Sequence, residues 1–445
     1  MERLNEMTSP IQDSALQDLQ PALQALQGNI LRGHGRGRSV HIFLQFLAEP
    51  PVVKHWIHNF AKCVTSAWKQ REQADQKTTS SSLFCNFLLS SLGYQYLDLN
   101  TQKFSKAFKS GMKNAKLQDP PKHTWEEGYQ KDIHAMILLA CSDKDILYKK
   151  VNELYHDINQ IAEICSVEHG RVMRKHGKPV EHFGYVDGIS QPLFFQRDVI
   201  RETAQVNTDK WNSCAGPNLV IIQDPHGGEY DFGSYMVFRK LEQNVRGFTE
   251  AIEKLASDLR QTVSQVGAQA VGRFQDGTPI VLYNSIGNPT NNFNFLDEDH
   301  YGLKCPFHAH IRKVNPRHEL RASKDHRIAR RGITYGKRDR EPKDNPRLED
   351  MPTKDVGLLF MCFQSDITAQ FELLQTGWAD NTNHLLPETG IDPIIGHMGS
   401  GGSIKQNWRP VWGRTGVKPI SLPNFITLKG GEYFFAPSIE VLKIL

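Results

Sequence analysis

The sequence has no apolar run near the roughly 20 residues that a membrane-spanning helix needs. Its longest, Ala135 to Cys141 and Val356 to Phe363, have the length of buried strands. It has no C-x-x-C pair. Its seven cysteines (Cys63, Cys85, Cys141, Cys165, Cys214, Cys305 and Cys362) are odd in number and widely spaced, which argues against a disulfide framework or a zinc knuckle. Most have apolar neighbours and read as small core residues. No charge sign dominates: 53 basic against 49 acidic residues leave +4, too even to imply a nucleic acid or a membrane surface as partner of the whole chain. The first thirty residues carry Glu2, Glu6, Asp13 and Asp18, with neither a continuous apolar stretch nor a twin-arginine pair, so the expected location is cytoplasmic.

What is present suits a folded chain. Charged residues at 23% and apolar residues at 39% exclude wholesale disorder, and 445 residues favour two domains. Residues 1–20 are polar and read as a loosely held lead-in. Strands are expected over 40–46, 83–89, 134–140, 218–222, 233–239, 358–364 and 427–435. Helices are expected over 56–67, 143–161, 248–266 and 367–376, with another opening at Ser91. The repeated strand–helix rhythm indicates an α+β protein with antiparallel sheets. A polar stretch within 190–216 suggests a boundary, giving a unit over 21–205 and a second over 206–445.

Three segments depart from this regularity. Gly184-Tyr185-Val186-Asp187-Gly188 sets an acid between two glycines, either an ordinary Asp-Gly turn or a tight turn presenting a proton acceptor to a cavity. Cys305-Pro306-Phe307-His308-Ala309-His310-Ile311-Arg312-Lys313 brings two histidines close. On a strand they share a face; on a helix they diverge by about 200°, so only one can point at a buried cofactor. Arg327 to Gly336 sets Arg330-Arg331 among Ile328, Ala329 and Ile333, which favours one inward guanidinium. Residues 305–347 carry thirteen Lys or Arg against five Asp or Glu.

His, Asp and Arg are what a haem peroxidase requires: an axial ligand, a base that moves the peroxide proton, and a cation where charge develops. In kind and order the three segments resemble the dye-decolourising (DyP-type) haem peroxidases. That family carries a G-x-x-D-G motif, matched at Gly184 to Gly188. It carries an axial histidine in a C-P-F-x-A-H-I-R-K-x-N-P-R stretch, matched at Cys305 to Arg317, and an R-R-G-x-x-Y-G stretch, matched at Arg330 to Gly336. The resemblance runs from Leu26-Gln27-Gly28-Asn29-Ile30 to Lys429 through Phe435 and is similar to the larger, cytoplasmic members.

The resemblance implies two ferredoxin-like α+β domains with antiparallel sheets flanked by helices. The distal Asp motif falls in the first and haem binding in the second. It implies one haem b per chain and hydrogen peroxide as oxidant, with dyes such as anthraquinones, or phenols, as electron donors. No nucleic-acid or membrane partner is implied, and a monomer or a homo-oligomer is compatible. His310 is the implied iron ligand, with His308 standing where many members carry a small residue. Asp187 is the distal acid, and Arg330 the distal arginine with Arg331 as fallback. Leu358 and Phe360 lie over the distal haem face. Arg312 is the candidate for a haem propionate, and Asp392 for a hydrogen bond to the axial imidazole. Trp378, Tyr335 and Tyr433 are candidate surface relays of electrons. The alternatives are a haem carrier or iron-releasing protein that uses the same pocket without turnover, and nucleic-acid binding through 312–347. A mere carrier needs neither Asp187 nor Arg330.

Overall fold

The structure, a computed structural model, describes residues 3–204, 207–320, 323–338, 347–397 and 404–445. Part of the basic stretch 312–347 therefore lies outside the described residues. Eight strands form its centre: β1 (Arg38–Phe46), β2 (Phe84–Ser90), β3 (Ala135–Ala140), β4 (Ala162–Arg171), β5 (Phe232–Gln243), β6 (Ile333–Tyr335), β7 (Gly357–Gln364) and β8 (Ile426–Ala436). In the first half of the chain the spatial order is β4-β1-β3-β2; in the second it is β8-β5-β7-β6. Numbered within each half, both orders read 4-1-3-2, so the repeat inferred from rhythm is a repeat of topology. All these pairings are antiparallel.

The two sheets join at their edges instead of standing apart. At one seam β8 meets β2 through Phe434↔Ser90 and Phe435↔Leu89, and at the other β6 meets β4 at Tyr335↔Gly170. With β5 paired to β7, the eight strands close into a barrel. Gly170 is required at its seam, because a Cβ there would sit 2.3 Å from Ser39 Oγ and 2.5 Å from Ile333 Cγ2. Rings from strands that are not neighbours meet across the interior, with Phe43 on β1 4.7 Å from Phe238 on β5. The interior charge Lys240 is matched by Glu168 at 2.9 Å and Glu126 at 2.7 Å, and the Tyr129 hydroxyl donates to Glu168.

Helices cover the barrel. α1 (Pro50–Phe60) starts on a proline, whose missing N–H costs nothing in a first turn. α2 (Lys144–Ile158) is capped by the Asp143 carboxylate and buries Leu147, Val151, Leu154 and Ile158 along one face. The single helix expected over 248–266 is two. α3 (Val245–Leu259) stops at Arg260 in the left-handed region (φ +55°), and Thr262 with Gln265 forms a capping box that starts α4 (Val263–Val271). The strand expected at 218–222 shrinks to Ile222–Gln223, because Pro217 opens a short 3-10 turn there. The described part of the lead-in, 3–20, is not loosely held. Within it Leu4 and Ile11 are buried, and Ile11 exchanges backbone hydrogen bonds with Phe194 and Gln196. Among the described residues no helix is long and apolar enough to cross a membrane.

Candidate functional site

The main cavity, about 290 Å³, lies against the outer face of the second-half sheet. The alternation of β7 shows why. Gly357, Leu359 and Met361 are buried, whereas Leu358 and Phe360 between them are only half-buried and line the cavity. One wall is Thr368–Ala379, where Glu372 N donates to Ile367 O and Asp380 N to Gln375 O, the i→i+5 bonds of a π-helix in place of the α-helix expected. Its Phe371, Leu374 and Gln375 line the cavity.

The segment 181–192 carries Asp187 to the rim, although it belongs to the first half of the chain. Val186 N donates to Gln275 O, and Gly184 and Gly188 take φ of +94° and +83°, which bends the backbone back on both sides of the acid. Asp187 Oδ1 accepts from Gly188 N at 2.6 Å and lies 3.4 Å from Arg330 Nη1. Arg330 is held by Ile189 O and Gln191 Oε1, and both it and Asp187 line the cavity. Arg331 points the other way. Its guanidinium donates to Asn29 O, Ile30 O and Arg330 O, so it ties the chain start to the barrel. The geometry favours Arg330 over its neighbour.

His310 opens the short helix α5 (His310–Val314) and lines the same cavity. Its Nδ1 is 2.7 Å from Oδ2 of the fully buried Asp392, whose Oδ1 accepts from Ile394 N and Ile395 N. That acceptor keeps the proton on Nδ1, so Nε2, with no hydrogen bond among the described residues, offers its lone pair to the cavity. His308 precedes the helix and does not reach the cavity. It packs on Trp408 with ring centroids 4.6 Å apart, and burial pushes its pKa down to about 3.

Arg312 requires a correction. Two positions past His310 on a helix, it points about 200° away. It is fully buried, donating to Asp299 Oδ2 at 3.0 Å, to Cys305 O and to Glu319, and it stacks on Phe307 at 4.1 Å. Internal carboxylates satisfy it, and it does not line the cavity. Beside Arg330 and the Asp119-paired Arg239, three further cations line it: Arg273, Arg317 and Arg327. Arg273 donates to Gly277 O and Thr290 O, Arg317 to Asn291 O and Phe293 O, and Arg327 to Lys324 O and Cys214 O. None has a carboxylate within ion-pair distance among the described residues. Burial pushes Arg317 well down and the other two to about 10, as expected for desolvated cations. Arg317 closes the Asn-Pro-Arg of the histidine stretch, which was the available signal. The candidate relays are not on the surface: Tyr433 is fully buried, and Trp378 and Tyr335 nearly so.

These residues fit a haem. An orphan imidazole nitrogen, apolar faces at Leu358, Phe360 and Phe274, and desolvated guanidinia together suit a flat apolar ligand with a metal at its centre and carboxylates at its edge.

Comparison with known proteins shows the family. Residues 25–172 match the family model described as the DyP dimeric alpha+beta barrel domain, and residues 205–390 match the C-terminal domain of Dyp-type peroxidases. The multifunctional dye peroxidase DyP2 of Amycolatopsis sp. is 37% identical, covering 97% of this chain and 97% of its own length. A dye-decolorizing peroxidase of Mycetinis scorodonius is 28% identical over 98% of this chain and 92% of its own. The crystal structure of a DyP-type peroxidase from Anabaena sp. superposes with a TM-score of 0.91 at 43% identity, covering 98% of this chain and 96% of that one.

Proposed function

Since the chain belongs to the dye-decolourising, DyP-type peroxidase family and is an oxidoreductase of that class, we propose that it uses one haem b to reduce hydrogen peroxide, with dyes or phenols as one-electron donors. The observation that carries this reading is the single cavity shared by His310, oriented by Asp392, and the Asp187–Arg330 pair. When bound, haem would supply an iron that reacts with peroxide and the redox equivalents that electron donors restore.

The chain's own groups do the rest. His310 Nε2 holds the iron, and the buried Asp392 carboxylate strengthens the imidazole as a donor and fixes its plane. Arg273, Arg317 and Arg327 hold the propionates in place of Arg312. Leu358 and Phe360 keep the peroxide side apolar and exclude water. Asp187 would hold the proton given up by one peroxide oxygen and return it to the other, with the haem supplying the two electrons that cleave the O–O bond. Arg330 steadies the charge that develops as the O–O bond breaks and favours the ionised form of its partner. On this reading the first unit, 21–205, contributes the distal acid and the second, 206–445, the cofactor pocket.

The test is an absorption spectrum of the purified protein before and after one equivalent of peroxide. A ferric haem band that responds to peroxide is expected. His310→Ala should lose it and His308→Ala should keep it; the reverse result would reassign the ligand.

A further inference from the structure

A second, smaller pocket of about 120 Å³ opens on the other side of the histidine stretch. His308 belongs to its floor. It is 1% exposed, and neither Nδ1 nor Nε2 has a hydrogen-bond partner among the described residues. Leaving both nitrogens of a buried imidazole unbonded is costly, and few such groups occur in a folded protein. The ring packs against Trp408 at a tilt of 53°, and the indole N–H is already engaged by Ile420 O and so offers it no partner. The rim is unusually apolar for a surface: Tyr301 is 73% exposed, Val417 47% and Leu386 46%. Arg409 also lines the pocket. Its guanidinium donates only to the carbonyls of Gly302, Gly416 and Tyr301, with no carboxylate in ion-pair distance among the described residues. A polar floor that can both donate and accept, apolar walls and an uncompensated cation define a small amphipathic guest. At about 120 Å³ the pocket is smaller than the roughly 150 Å³ that encloses a benzene ring, so a one-ring guest is only partly enclosed, with its far end in the mouth.

We infer that this pocket is a second binding site, taking a one-ring phenolic acid with its hydroxyl against His308 and its carboxylate toward Arg409. The site is separate from the main cavity and does not depend on what fills that cavity. Its floor nevertheless lies only two residues from His310, a Cα separation of at most about 7 Å. A phenol seated there is held beside the residue that borders the main cavity.

The experiment is calorimetric titration of the full-length purified protein with 4-hydroxybenzoate, and with benzoate as the analogue that lacks the hydroxyl. Saturable one-to-one binding of 4-hydroxybenzoate is expected, with benzoate at least tenfold weaker, because a site built to bond a hydroxyl discriminates against its loss. His308→Phe removes the unbonded nitrogens and should weaken 4-hydroxybenzoate at least tenfold without lowering Tm. Val417→Trp blocks the mouth from an exposed position and should do the same whether or not the first variant folds. Absence of saturable binding, equal affinity for benzoate, or binding unchanged in Val417→Trp would each overturn the assignment. None of these outcomes touches the haem reading, which stands or falls on the absorption spectrum.

Discussion

The two halves of the barrel share one strand order and differ in what they do with it. In the first half β2 and β3 are buried at every position, and the helices close over them. In the second half the outer face of β5, β7 and β8 is left partly uncovered, and Arg239, Leu241, Leu358, Phe360 and Leu428 look into the main cavity. The same topology is thus used once as a sealed support and once as the wall of a site. The difference is local: where α1 and α2 cover the first sheet, the second has a five-residue helix, a π-helix and the 181–192 segment standing around a space. A support tolerates no missing volume, whereas a wall tolerates it and does not tolerate a change of chemistry.

The largest effect should come from chemistry at the wall. Asp187→Asn keeps the turn and removes the base, so the rate of reaction with peroxide should fall about 10²- to 10⁴-fold, while stability changes by no more than about 0.5 kcal/mol. Stopped-flow mixing with peroxide together with thermal unfolding measures both. A normal rate would remove the acid from the reaction, and a large loss of stability would make the segment part of the support. Next come paired truncations. Leu138→Ala in sealed β3 should cost about 2–5 kcal/mol in denaturant unfolding, and Leu358→Ala at the cavity roughly a third of that. Equal costs would end the distinction between support and wall. Asp392→Asn is smaller: haem affinity should fall about 10- to 100-fold, read as faster loss of haem to a scavenging protein, because the imidazole loses the negative charge that strengthens it as a donor to iron.

How legible this was depended on whether a feature is local. Continuous apolar runs marked β3 and β7 because burial on both faces writes itself into every position. β4 went unseen, since Glu163, Ser166, Glu168 and His169 give it no apolar signature. Glu168 is nonetheless buried, as the counter-charge of Lys240, and a partner 72 residues away leaves no local trace. In the site, the family resemblance pointed to Asp187, Arg330, His310 and Asp392, and the fold sets the first three around one cavity with Asp392 against His310. Orientation did not follow from spacing. The 200° argument that separates two residues at i and i+2 on a helix, applied to His310 and Arg312, would have sent Arg312 away from the ligand once α5 was known to be helical. Arg273 and Arg327 lie outside the axial-histidine stretch, and only the fold brings them together with Arg317.

Acid should separate the halves by the least amount. In the first half burial pushes His34 and His41 down to about 3 and His134 to about 4. These groups are neutral when folded, yet in the unfolded chain they take up protons near pH 6.5. Stability they support is therefore complete above about pH 6.5 and is lost as pH falls toward 4. In the second half His308, pushed down to about 3 by burial, and His384, pushed down to about 4, act in the same sense. There the buried Asp224 opposes them: raised to about 6 by burial, it favours the folded state when protonated and loses that contribution as pH rises through 6. Tm should accordingly hold between pH 7 and 8 and decline below about 6.5. Bound haem should raise the curve without changing its slope if the loss belongs to the sealed half. His134 Nδ1 accepts from Phe46 N, so His134→Asn retains an acceptor while removing one titrating group. It should flatten the decline modestly. An unchanged slope would place the acid sensitivity on the cavity side and reverse the assignment of support and wall.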